Sequence, residues 1–161
     1  GEAVGKLRME LSGDDVVIHS SFTDRNPVHE SAPGGSWSGS YLGLMFAPHD
    51  AESTGDVKQC IFFPHGGEES GTTWFFDGHS QVEPDPRIRC RWNRKDGGWD
   101  ISAILPLDVL GLSAGKNLFR FEAMANLTLE QGGKPVLVTL FGSKPARLEL
   151  ETLATVEVRK E

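Results

Sequence analysis

The stretch GWDISAILPLDVLGLSAGKNLFRFEAMAN, residues 98–126, carries the periodicity that decides the fold. Trp99, Ile101, Ala103 and Leu105 fall on one parity, the two-residue repeat of a strand that buries one face. Pro106 ends that strand, and LDVLGL at 107–112 has room for one short helical turn before residues 113–116 reverse the chain. Alternation then resumes, with Leu118, Arg120, Glu122 and Met124 on one parity and Phe119, Phe121, Ala123 and Ala125 on the other. Alternating segments joined by turns, with no amphipathic helix of ordinary length between them, fit an antiparallel sandwich.

The same grammar extends in both directions. LRMEL at 7–11 and VVIHSSF at 16–22 flank the turn residues Ser12, Gly13, Asp14 and Asp15, predicting a first hairpin. A polar excursion rich in Gly, Ser and Pro runs from Thr23 to Ser40 and leads into YLGLMFA at 41–47. VKQCIFF at 57–63, TTWFF at 72–76 and RIRCRWNRK at 87–95 follow, separated by the turn HGGEESG and the loop DGHSQVEPDP. Asp96, Gly97 and Gly98 give the strongest tight-turn signal, and VLVTLF at 136–141 and LATVEV at 153–158 complete the set. About ten short strands joined by turns predict an all-β, antiparallel two-sheet β-sandwich, immunoglobulin-like or jelly-roll-like. The 161 residues contain no internal repeat and no dividing linker, so residues 1–161 read as a single domain.

Charge and composition narrow the function classes. Sixteen basic against twenty-three acidic residues give a formal charge of −7, which disfavours a phosphate backbone as partner. Arg87, Arg89, Arg91, Arg94 and Lys95 are the local exception, and their alternation with Ile88, Cys90 and Trp92 is that of the solvent face of one strand. No apolar run approaches the roughly 20 residues of a transmembrane helix. The opening GEAVGKLRME lacks the basic start and apolar run of a signal peptide, a feature an excised domain would have lost. Cys60 and Cys90 both lie in alternating apolar runs, as two reduced core thiols or as one disulfide between strands.

Catalytic signatures are sparse. There is no GxSxG elbow, and the pair Gly66 and Gly67 lacks the Lys and Ser/Thr of a phosphate cradle. His19, His29, His49, His65 and His79 are scattered, without metal-ligand spacing. His79, Met45 and Met124 are formal haem ligands, but methionine on a strand more often fills a core. Glu68, Glu69, Asp77, Glu83 and Asp85 would need two carboxylates held about 5–10 Å apart to cleave a glycoside, and nothing local fixes such a pair. Turn oxygens at Asp14, Asp15, Asp50, Glu52, Asp56 and Asp77 suit a hard ion such as calcium better than catalysis, without an EF-hand pattern.

The four tryptophans carry more. Sugars present flat C–H faces that stack on aromatic rings while their hydroxyls bond polar groups nearby. Trp37 lies in the polar run GGSWSGS, and Trp92 sits between Arg91 and Asn93, so both are candidate stacking surfaces. Trp99 shares its parity with core positions, and Trp74, on the parity of Thr72 and Phe76, is ambiguous. Asp77, Arg91 and Asn93 are the candidate hydroxyl contacts.

Residues 98–126 resemble family 9 carbohydrate-binding modules and the wider DOMON-like group of β-sandwiches, through Gly98, Trp99, Leu105, Pro106, Leu110, Gly111 and the strand Leu118 to Ala125. SWSGSYLGLMFAP at 36–48 is similar to the strand that follows a tryptophan entry in the same families, with Ser40, Leu42 and Gly43 where acidic residues are usual, and Ser102 stands where a glutamate is common. The resemblance implies a non-catalytic carbohydrate-binding domain with no certain cofactor and a structural calcium allowed. It further implies attachment to, or excision from, a larger secreted polysaccharide-processing protein, with a covalently linked catalytic domain as partner and an extracellular, cell-surface or periplasmic location. A structural or protein-interaction β-sandwich is the alternative.

Overall fold

The computed structural model describes residues 4–25, 37–65, 68–141, 150 and 153–159, without the side chains of residues 65 and 68. The alternating segments form β1 (Gly5–Ser12), β2 (Asp15–Thr23), β3 (Tyr41–Pro48), β4 (Lys58–His65), β5 (Glu68–Asp77), β6 (Ser80–Val82), β7 (Arg89–Lys95), β8 (Gly98–Pro106), β9 (Leu118–Leu127), β10 (Val136–Thr139) and β11 (Ala154–Glu157). They make two antiparallel sheets, as the periodicity predicts. Sheet A has the order β1-β2-β8-β7, and sheet B the order β10-β9-β3-β4-β5-β6. β11 shares one edge of β9 with β10, pairing at residues 118–121 where β10 pairs at 124–127.

Ile18, Trp92, Ile101 and Leu105 from sheet A meet Leu44, Cys60, Phe62 and Phe121 from sheet B in the core between the sheets. Both cysteines are free; Cys60 is fully buried, Cys90 partly, and burial pushes both thiols well above the usual cysteine range. The connection at 107–112 is the expected single turn, closed by Leu110 N–H to Pro106 O at 3.2 Å and Leu112 N–H to Leu107 O at 2.9 Å. The loop predicted between Asp77 and Arg87 contains one further strand, β6, whose three exposed residues are too few to display a period. The turn residues 66 and 67 and most of the polar excursion lie outside the described residues.

Sheet B is buried on both faces in its middle, where every residue from Tyr41 to Ala47 is inaccessible. Its outer face carries a second apolar cluster of Tyr41, Met45, Ile61, Phe63 and Met124, capped by Leu150 and Leu153. One backbone feature shapes that face. The register of β4 and β5 shifts between Phe63 and His65, and opposite the shift Gly71 has φ +60°, with its missing Cβ position 2.1 Å from Phe63 O.

Candidate functional site: an aromatic platform on sheet B

Residues 37–40 enter β3 through a turn held at two points. Ser40 Oγ donates to buried Asp24 Oδ2 at 2.8 Å, and Asn126 Nδ2 donates to Gly39 O at 2.6 Å. These bonds anchor the chain immediately after Trp37, which stands on the outer face of sheet B. Its ring lies 5.4 Å from Tyr41, 5.5 Å from Trp74 and 6.4 Å from Phe63, all in edge contacts, and 6.2 Å from Phe76 at a tilt of 36°. Trp74 and Phe63 pack at 4.5 Å beneath it. Edge-to-face contacts of this kind use the ring quadrupoles favourably and fix the orientation of the upper ring. Trp37 remains 50% exposed, the most accessible large apolar side chain among the described residues.

The register supplies the polar surroundings. Directly opposed residues of antiparallel strands project to the same face, so Gln59, Phe76 and Gln81 form one row across β4, β5 and β6 on the side that carries Trp37. Met45 extends the row on β3, followed by Glu122 on β9. Glu122 is fully buried, and its Oε1 accepts the backbone N–H groups of Ala123, Leu140 and Phe141 at 2.9–3.1 Å. It fastens the chain after β10 to the sheet.

The candidate residues read from the sequence do not converge. Trp37 is exposed, as its polar run implies. Trp92 is corrected: it is 3% exposed and points between the sheets, 5.2 Å from Trp99 and 6.2 Å from Phe22, so it offers no face to a ligand. The parity that turns Arg91 and Asn93 outward turns Trp92 inward. Arg91 and Asn93 project from the outer face of sheet A, on the opposite side of the sandwich from Trp37, and Arg91 pairs with Glu69 at 2.6 Å. Asp77 is ion-paired with Lys58 and belongs to the inward-facing row of Phe46 and Phe121 at the end of the sandwich. Trp74, Phe76 and Gln59 were not among the candidates. The shared parity of Trp74 and Phe76, opposite to Phe75, is their only signal in the sequence.

A concavity of about 790 Å³ lies at the far end of sheet A, lined by Asp14, Asp15, Arg87, Arg89 and Asp108. Arg87 bridges Asp85 and Asp108, each at 2.9 Å, and its side-chain hydrogen bonds hold both carboxyls below the usual aspartate range. No aromatic ring lines this cleft, and its most prominent cation is already paired. Among the described residues no group of three His, Cys, Asp or Glu side chains is placed to hold a metal ion. Of the candidate calcium ligands, Asp56 accepts the backbone N–H groups of Glu52 and Ser53, and Asp77 faces Lys58.

No protein-family profile and no curated protein matches the sequence. Solved structures do resemble it. A Bacteroides uniformis ATCC 8492 protein provisionally assigned to carbohydrate binding superposes with a TM-score of 0.68 at 9% identity, over 96% of this chain and 78% of that one. A family 9 carbohydrate-binding module from Caldicellulosiruptor kristjanssonii in complex with glucose gives 0.66 at 12% identity, over 98% and 77%. The cellotriose complex of a family 9 module from the same organism gives 0.61 at 10% identity, over 98% and 75%. The chain therefore has the β-sandwich fold of these modules, as the resemblance in residues 98–126 implies.

Proposed function

We propose that this domain is a non-catalytic carbohydrate-binding module whose contact surface is the Trp37 platform. One observation carries the reading. A half-exposed tryptophan is locked in orientation by Tyr41, Phe63, Trp74 and Phe76 on a sheet face, leaving a flat apolar surface with amide groups beside it. Such a surface suits the C–H face of a pyranose, and a fixed ring loses little conformational entropy on binding. The fold supports the same reading, because its structural relatives are sugar-binding modules. A non-catalytic role is compatible with the structural relatives, which are carbohydrate-binding modules. The wider proposal is a secreted or periplasmic polysaccharide-processing parent, to which this module brings substrate. Among the described residues no helix is long and apolar enough to cross a membrane.

Calorimetric titration against neutral mono- and oligosaccharides, with and without calcium, tests the proposal. Saturable binding that Trp37→Ala removes from a folded protein supports it; silence across the panel overturns it. A dependence on calcium would add a metal to the module. One feature favours an interaction module as second reading: Val136, Leu137, Leu140 and Phe141 are 39–49% exposed along the edge strand β10 and the residues that follow it. Concentration-dependent self-association or partner capture through that edge, without sugar binding, would favour it.

A further inference from the structure

We infer that the Trp37 platform is one-sided and takes internal residues of an uncharged glycan chain, with Gln59 and Gln81 as its polar edge. The inference rests on the sugar-binding reading above and specifies its ligand. Three observations carry it.

The first is the geometry of the rings. A sugar gripped end-on between two walls needs two roughly parallel aromatic faces. All four tryptophans, the single tyrosine and the nine phenylalanines of the chain fall within the described residues. Of these, only Trp37 and Phe141 are strongly exposed. The rings that touch Trp37 meet it at 72–85°, or at 36° for Phe76, and so form its seat and not an opposing wall. Phe141 packs edge-on against Phe121 of β9. On sheet B, β3 and β4 separate β9 from the strand that carries Trp74 and Phe76. Among the described residues Trp37 offers stacking on one face only, an arrangement that suits a chain continuing beyond the stacked sugar.

The second is the amide pair. Gln59 and Gln81 flank Phe76 on neighbouring strands of the platform face. Gln59 is 9% exposed and its side chain makes no hydrogen bond among the described residues, whereas Gln81 is exposed. Each amide offers two donors and an acceptor, the set that matches a pair of adjacent sugar hydroxyls.

The third is charge. The row through Gln59, Phe76 and Gln81 has no cation, and its acid, Glu122, is buried beyond Met45. Among the described residues this row offers a uronate or sulfated sugar no counter-charge, and Arg120, two residues from Glu122 on the same face of β9, donates to His49 O and Leu150 O.

The test uses cello-, xylo-, manno- and laminari-hexaose, each in native form and with the reducing end converted to the alditol by borohydride, together with glucose and a galacturonate hexamer. At least one neutral hexaose is expected to bind more tightly than glucose, equally well in native and reduced form, and the galacturonate hexamer not at all. Loss of binding on end reduction overturns the inference in favour of chain-end capture, while leaving the sugar-binding reading intact. Preference for the galacturonate overturns the uncharged class. No binding by any sugar overturns the reading beneath it. Gln81→Ala, on the exposed strand β6, is expected to weaken hexaose binding about 3- to 10-fold with an unchanged melting temperature. Unaltered affinity in that variant removes the amide edge from the site.

Discussion

The indole Nε1 of Trp99 donates a hydrogen bond to the carboxylate of Asp24 at 3.2 Å, in a place where Asp24 is 1% exposed. The same carboxylate accepts Ser40 Oγ and the backbone N–H of Thr128 at 3.1 Å. One buried acid thus joins the end of β2, the tryptophan of β8, the exit of β9 and the turn that presents Trp37. A buried carboxylate held this way is favourable only while its donors remain, because desolvation is offset by the bonds it accepts.

Asp24→Ala leaves the Trp99 indole, the Ser40 hydroxyl and the Thr128 amide without their acceptor. A loss of about 2–4 kcal/mol is expected from leaving buried donors unsatisfied. Urea denaturation measures it, and a loss below about 1 kcal/mol would show that the site reorganises around the missing acid.

Trp37 and Trp92 are expected to respond in opposite ways to alanine. Trp92→Ala empties the core between the sheets and is expected to cost about 3–5 kcal/mol of stability. Trp37→Ala removes a half-exposed ring, is expected to cost about 1 kcal/mol, and should abolish sugar binding. Thermal melts and titrations on both variants separate the two roles.

The thiols of Cys60 and Cys90 are expected to resist modification in the folded protein. Burial raises both pKa values, so little thiolate exists near neutral pH. Ellman's reagent at pH 8 should report no reactive thiol before denaturant is added and two afterwards. Rapid reaction of Cys90 in the native state would contradict its placement.

Arg87→Gln tests the carboxylate pair at the end of sheet A. Asp85 and Asp108 have folded pKa values lowered below the ordinary 3.8, first by side-chain hydrogen bonds from Arg87. The stability they confer is therefore present above that value and is lost as pH falls through the lower folded values. The melting-temperature difference between wild type and variant should be small at pH 6, should shrink below pH 4, and should weaken in salt because the groups are exposed. A difference that grows on acidification would contradict the pairing.

Gly71→Ala is expected to destabilise by about 1–3 kcal/mol, since the residue occupies positive φ and its Cβ would meet Phe63 O at 2.1 Å. The strain falls beneath the Phe63–Trp74 contact, so sugar affinity should fall in parallel. Full stability in the alanine variant would argue against the bulge.

The sandwich was legible in the sequence because its signal is local. Trp99, Ile101, Ala103 and Leu105 alternate, Pro106 stops the strand, and glycine marks its turns; each follows from the pleat and from backbone sterics within a few residues. Even the buried place of Trp99 followed from parity. The position of the site was not legible, because parity divides residues into two faces without naming which face is inside. In TTWFFD, Trp74 and Phe76 share one face and Phe75 and Asp77 the other, and both faces carry a large aromatic ring. Sheet A packs against Phe75, leaving Trp74 and Phe76 outside to seat Trp37. Trp92, with polar neighbours on both sides, was turned inward by the pairing of β7 with β8, which aligns it with Ile101. Local sterics are encoded within a strand, whereas the side on which a sheet finds its partner depends on contacts between residues distant in the chain, and those contacts decided where a ligand has room to bind.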